Sequence, residues 1–199
     1  RIDFLNNTKG HLLLEPSRSN LITYSEDFSN ASWTKSNSSV SSNQATSPDG
    51  SLNAYKFIEN NVNTYHRVAN TLTITNGVTY STSIFVKKSE RKYVRFASAY
   101  GSGDALSDFD LENGVVLSGN GDIENYGNGW FRISNTFTAD ATFTSINAFQ
   151  LFLLNDNQTR DYLGDGTSGV YIWGAQLEQG DYATSYIVSN SGSATTRSA

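Results

Sequence analysis

Short runs of alternating apolar and polar residues recur along this chain, punctuated by Gly, Asn, Asp and Ser, and the roughly 3.6-residue spacing of long amphipathic helices is missing. His66 to Ile74 sets Val68, Leu72 and Ile74 on one face against Arg67, Ala69, Thr71 and Thr73 on the other. Thr79 to Lys88 sets Tyr80, Thr82, Ile84 and Val86 against Ser81, Ser83, Phe85 and Lys87. In Tyr93 to Tyr100 the same rule turns Val94 and Phe96 inward and predicts that Tyr93 and Arg95 join Phe85 and Lys87 on one outer face. Trp130 to Thr138 repeats it, with Phe131, Ile133 and Phe137 inward and Trp130, Arg132 and Ser134 outward. Ile146 to Leu154 is apolar on both faces, which predicts a central strand, and Val170 to Leu177 has the β-branched and aromatic content of a packed one.

Shorter strands are predicted at His11 to Leu14, Leu21 to Tyr24 and Ala54 to Glu59, with a single helical turn at Glu26 to Ala31 before Trp33 opens another extended segment. Ser47-Pro48-Asp49-Gly50 has the residues of a tight turn, since Pro presets φ at the second position. Asn76-Gly77 and Asn113-Gly114 read as hairpin turns. The fold expected is all-β, an antiparallel β-sandwich of jelly-roll form, with one domain over residues 1–188 and a flexible linker over 189–199.

A chain of 199 residues with 37% hydrophobic content can bury one sizeable core, which favours one domain over two. Only 17% of residues are charged, so Ser, Thr, Asn and Gly must cover the surface, as suits a protein on a virion or outside a cell. A net charge of −5 argues against the clustered cations that nucleic acid requires. Zero Cys excludes disulfides and thiolate metal sites, and zero Met predicts that the chain beginning at Arg1 is a processed piece. No apolar run approaches the ~18–20 residues of a spanning helix, so membrane insertion is not expected.

Several segments in order carry a resemblance: HLLLEPSRSNLITYSEDFS (11–29), SPDGS (47–51), GVTYSTSIFVKKSERKYVRF (77–96), FDLENGVV (109–116), GNGWFRIS (127–134) and YLGDGTSGVYIWGAQLEQGDYATSYI (162–187). Together they resemble the carbohydrate-binding-module-like jelly rolls of bacteriophage tail-fibre and head-fibre proteins, also found appended to polysaccharide-degrading enzymes of marine bacteria. The resemblance implies a non-catalytic binding or display role on a phage fibre or other virion appendage that attaches to polysaccharide. Two alternatives stand beside it: an accessory module of a secreted enzyme, and a structural decoration domain. A homo-oligomer or larger assembly would fit each. The resemblance transfers no binding residues.

Those candidates come from the residues themselves. Arg67, Phe85, Lys87, Tyr93, Arg95, Trp130 and Arg132 fall on the polar sides of their strands, where rings can stack on a pyranose and cations can pair with carboxylate or sulfate, so an acidic glycan suits them. The competing reading packs Phe85 and Trp130 into a core with the cations reaching out to water. Trp33 and Tyr100 adjoin Gly/Ser-rich loops and are either stacking platforms or, respectively, a loop clamp and a hairpin end, whereas Trp173 is expected in the core. Asp161 and Asp165 flank a glycine turn and offer oxygens for a structural calcium; turn bonds to backbone are the alternative for Asp165. A second acidic group, Asp108, Asp110 and Glu112 at every second position, offers the same oxygens, with a solvated hairpin as the alternative. Tyr65-His66-Arg67 has the residue types of a lyase, but alternation sends His66 and Arg67 to opposite faces.

Overall fold

Burial follows the alternation. Thr79–Lys88 stays extended over 10 residues, with Tyr80, Ile84 and Val86 in the main core and Phe85 on the other side. The computed structural model describes residues 2–3, 11–12, 15–98, 105–140 and 145–199, so Tyr100 lies outside the described residues. Two six-stranded antiparallel sheets dominate them. In chain order their strands are β1 (Trp33–Ser36), β2 (Ser38–Thr46), β3 (Leu52–Glu59), β4 (Arg67–Thr73), β5 (Thr79–Lys88), β6 (Tyr93–Ala97), β7 (Leu106–Asp110), β8 (Val115–Ser118), β9 (Asp122–Gly127), β10 (Trp130–Thr138), β11 (Ser145–Leu154) and β12 (Gly169–Gln179). Sheet I runs β8-β7-β6-β11-β4-β1 and sheet II runs β9-β10-β5-β12-β3-β2. The chain crosses repeatedly between them, as from β4 to β5 and from β5 to β6, which makes the sandwich a jelly roll.

Phe57, Ile84, Val86, Ile133, Val170 and Ile172 of sheet II meet Val68, Val94, Phe96, Phe109, Phe149, Leu151 and Leu153 of sheet I in one core. Each such side chain contributes roughly 1.5–3 kcal/mol relative to exposure. Trp33 belongs to this core. Its ring sits 4.7 Å from Phe28 and 5.3 Å from Phe149, and its indole N–H donates to the Tyr24 carbonyl at 2.8 Å. The loop platform expected of Trp33 is therefore corrected: a ring 1% exposed has no free face.

Among the described residues none is helical. At Glu26 to Ala31, where a helical turn was expected, the Asp27 carboxylate accepts the Ser29 N–H at 3.1 Å and the Asn30 side chain accepts the Ser32 N–H at 3.0 Å. These local bonds compete with helix and leave a run of turns. At the β7–β8 hairpin Gly114 has φ +66, and a Cβ there would meet the Phe131 ring at 2.5 Å, so the turn glycine is needed twice over.

The tail from Ser189 is anchored rather than frayed, which corrects the expected linker. Thr195–Arg197 pairs with Arg18–Asn20, and Arg197 forms an ion pair with Glu15 at 2.9 Å. Asn20 is the tie: its amide donates to the Ala175 and Ile187 carbonyls at 3.1 and 2.8 Å, while its oxygen accepts the Ile22 and Leu177 N–H groups. Glu178, outward on β12, accepts the N–H and hydroxyl of Thr184. Both arms are thereby pinned to β12, beyond the point where its pairing with β3 ends at Ile172.

Candidate functional site

Each sheet turns one face to the core and one outward. On the outer face of sheet I, register aligns Asp108, Arg95, Phe152, Arg67 and Ser36 across β7, β6, β11, β4 and β1. The row crosses four interstrand gaps, roughly 19 Å at ~4.8 Å each. Arg95 grips Asp108 through two bonds of 2.7 and 2.8 Å. Arg67 donates to the Gln150 side chain at 2.8 Å and to the Ser36 hydroxyl at 3.1 Å, and has no carboxylate partner among the described residues. Its guanidinium lies 5.6 Å from the Tyr65 ring centre and 5.9 Å from that of Phe152. Arg160 approaches the same rings at 5.7 and 6.0 Å while bonded to Asp161. Beneath this surface Arg67 Nε and Gln150 Nε2 are buried with no hydrogen-bond partner. Unmade bonds of this kind are costly, and they cluster where a ligand or local rearrangement completes them.

The loop bearing Arg160 is held by a buried ion pair. Glu59 receives two bonds from Arg91 at 2.8 and 2.7 Å, one from the Tyr162 hydroxyl at 2.6 Å and one from the Asp165 N–H at 2.9 Å. Burial acts to raise the Glu59 carboxyl, but the bonds from Arg91, Tyr162 and Asp165 outweigh it and hold the group below its ordinary value. His66 packs against Tyr162 at 4.8 Å, fully buried, with Nδ1 2.7 Å from the Asn37 carbonyl. It is separated from the surface that Arg67 occupies, as alternation requires.

The outer face of sheet II is differently built. Arg132 faces Phe85, and Phe85 faces Trp173, across β10, β5 and β12. Phe85, Trp130, Trp173 and Ala54 form a second buried cluster, joined by Tyr126 and Tyr186. Trp130 donates its indole N–H to the Thr46 carbonyl at 2.9 Å. Arg132 lies 5.4 Å from the Phe85 ring centre and donates to the Ser83 hydroxyl at 2.8 Å. The C-terminal arm crosses this face and brings Tyr186 to 4.7 Å from Trp173.

The single face expected from the sequence is thus two. Arg67, Tyr93 and Arg95 belong to sheet I, whereas Phe85, Lys87, Trp130 and Arg132 belong to sheet II on the opposite side. The cause is the crossover between β5 and β6, which makes sequence neighbours face one another across the core. Phe85 and Trp130 are buried under neighbours, so neither is an open platform. Tyr93 is half-buried, with the Lys92 ammonium 5.2 Å from its ring. Gln150, Phe152 and Arg160 join the sheet I row without having been singled out, and Tyr65, weighed only beside His66 as a lyase residue, joins them. Alternation flagged positions strand by strand, and strand order was needed to bring these together.

The acidic groups serve turns and ion pairs. Asp165 accepts the N–H groups of Thr167 and Ser168, both at 2.7 Å, and both their hydroxyls. Burial acts to raise its carboxyl, yet these four bonds hold it well below the usual carboxylate range. Donors on both oxygens leave a poor fit for calcium, and Asp161 is engaged by Arg160. Asp110 caps its hairpin, and Glu112 bonds Lys92 and Lys88. Among the described residues no three acidic or histidine side chains gather around a metal position.

Two solved structures align with most of this chain. The N-terminal CBM22-1 and GH10 modules of Clostridium thermocellum endo-1,4-beta-D-xylanase 10B, complexed with xylohexaose, are 14% identical with a TM-score of 0.43, covering 87% of this chain and 30% of that one. The present chain thus spans less than a third of that xylanase chain. The CBM22-1 xylan-binding domain of Paenibacillus barcinonensis Xyn10C is 11% identical with a TM-score of 0.40, covering 83% of this chain and 94% of that one. No protein-family profile and no curated protein matches the chain. The sandwich assignment rests on the strand pairing itself.

Proposed function

We propose that the chain is a non-catalytic module that binds acidic polysaccharide along the outer face of sheet I. One observation carries the reading: Arg67 lies against Tyr65 and Phe152 with no carboxylate partner among the described residues, above two buried N–H groups that lack acceptors. A uronate or sulfated sugar would supply the missing charge and acceptors, and the half-buried Tyr65 ring would cover its apolar face. The setting proposed is a phage fibre or virion appendage outside the cell, following the resemblance of the ordered segments. Attached to a secreted polysaccharide-degrading enzyme, the same face would work in the same way. Several copies on one particle would raise weak single-site affinity by multivalency.

Affinity electrophoresis through gels containing a polyuronate, a sulfated glycan or a neutral glucan tests this. Retardation is expected in the two acidic gels, and Arg67→Ala should remove it while Lys87→Ala does not. Free migration of the folded protein through every gel would sink the proposal. Incubation with the polyuronate should generate no absorbance from unsaturated chain ends.

A further inference from the structure

The outer face of sheet II contains a cavity of about 510 Å³, walled by the rings of Phe85, Tyr126, Trp173 and Tyr186 and bordered by Asp49 and Arg197. Its size falls within the ~300–1,000 Å³ of small-molecule sites. The walls come from four separate places: β5, β9, β12 and the C-terminal arm, with the Ser47 to Gly50 turn supplying Asp49. Arg197 is fixed by Glu15 at 2.9 Å and by the Ser185 carbonyl at 3.0 Å.

Two donors in these walls have no acceptor. Trp173 Nε1 and Arg197 Nη2 are buried without a hydrogen-bond partner. The other two tryptophans show the contrast, since Trp33 and Trp130 each donate to a backbone carbonyl at 2.8 and 2.9 Å. Asp49 takes the Ser47 hydroxyl and Ser51 N–H on one oxygen and the Asn53 amide, at a long 3.3 Å, on the other.

We infer that this cavity is a second binding site, for the terminal unit of a saccharide, separate from the sheet I row. Rings alone would also suit an organic ammonium ion. Such a cation would leave both donors unmet and would sit beside the Arg197 guanidinium. With a small shift of the wall side chains, a pyranose would supply oxygen acceptors for the buried Trp173 and Arg197 donors, a hydroxyl donor for Asp49, and C–H faces for the partly exposed rings of Tyr126 and Tyr186. Tyr186, its ring 4.7 Å from that of Trp173, walls one side of the pocket, an arrangement that suits a chain end better than a continuing polymer. The inference stands apart from the sheet I reading, because the two surfaces lie on opposite sides and use no residue in common.

The three tryptophans make the test selective. Indole N–H resonances of the full chain are followed while a panel of glucose, galactose, xylose, glucuronate, N-acetylglucosamine and their disaccharides is titrated in. At least one sugar should move the Trp173 signal and leave those of Trp33 and Trp130 in place. Tyr126→Ala, which removes one wall, should weaken that response roughly tenfold, and Tyr126→Phe, which keeps the ring, should retain it. Arg67→Ala should leave it unchanged. Amide dispersion in each variant verifies folding. A Trp173 signal that no sugar moves, that tetramethylammonium alone moves, or that Arg67→Ala abolishes overturns the inference.

Discussion

Arg67 with Phe152 on sheet I and Arg132 with Phe85 on sheet II are the same local device made twice. In each, a guanidinium lies 5.4–5.9 Å from a phenylalanine ring centre, bonds to neutral oxygens, and has an Nε without a partner. What covers them differs. Over sheet I stand Tyr65 and Arg160 from neighbouring loops, and Arg67 stays half-buried; on sheet II the guanidinium of Arg132 is buried at 6% exposure. Strand alternation produces an outward cation, and the segments laid over the sheet decide whether it faces solvent or joins a second core.

The largest expected effect comes from releasing the cover of sheet II. Asn20→Ala removes a fully bonded buried amide and strands the Ala175 and Ile187 carbonyls together with the Leu177 N–H. At ~1–3 kcal/mol for each stranded buried group, only partly relieved by water, a loss of about 3 kcal/mol is expected from urea unfolding. The Trp173 response to sugars should vanish with the arm while retardation by acidic polymer persists at low temperature. Equal loss of both would break the comparison and make the two faces one unit. Next in size is Arg67→Ala, expected to weaken acidic-polymer binding by roughly 10- to 100-fold, the range of a charge-assisted hydrogen bond. Arg132→Ala, measured in the same gels, should leave that binding unchanged.

Much of the fold was legible because period-2 burial is local. Tyr80, Ile84, Val86, Val94, Phe96, Ile133 and Phe137 all point where alternation sends them, and β11, apolar on both faces, is interior in its sheet. Partnering was not legible. Nothing in the residues from Lys88 to Tyr93 states that the chain changes sheets there, so Tyr93 and Arg95 were placed beside Phe85. Trp173 was expected in the core and is buried, but in the second cluster, because Tyr186 reaches it from the C-terminal arm. The end of that arm, SNSGSATTRSA from Ser189, lacks apolar periodicity since side-chain and backbone hydrogen bonds and an ion pair hold it rather than packing.

A smaller effect is expected with pH. Glu59 titrates below its ordinary value of 4.5 in the folded chain, so its pairing with Arg91 and Tyr162 contributes stability above that pH and loses it as pH falls through the folded value. The loop it holds carries Arg160, so sheet I should lose affinity in acid ahead of unfolding. The urea midpoint should drop as pH is lowered below about 4.5, and Glu59→Gln should flatten that slope at the cost of lower stability near neutrality. An unchanged slope in the variant would remove Glu59 as its cause.

Salt gives the finest separation of the two faces. Raising ionic strength from about 0.1 to 1 M shortens the screening length from ~10 to ~3 Å, which weakens attraction between an exposed cation and a polyanion. Arg67 faces solvent and meets its ligand in part by charge, so acidic-polymer binding should fall several-fold over that interval. A neutral sugar in the sheet II cavity would be held by ring contact and short bonds to Trp173, Arg197 and Asp49, which added salt barely screens. Its midpoint, read from the Trp173 indole signal, should shift by less than about twofold over the same change. Parallel salt curves for the two ligands would show that cover does not divide the faces, because a charge-led row and a ring-walled pocket holding a neutral sugar cannot respond alike.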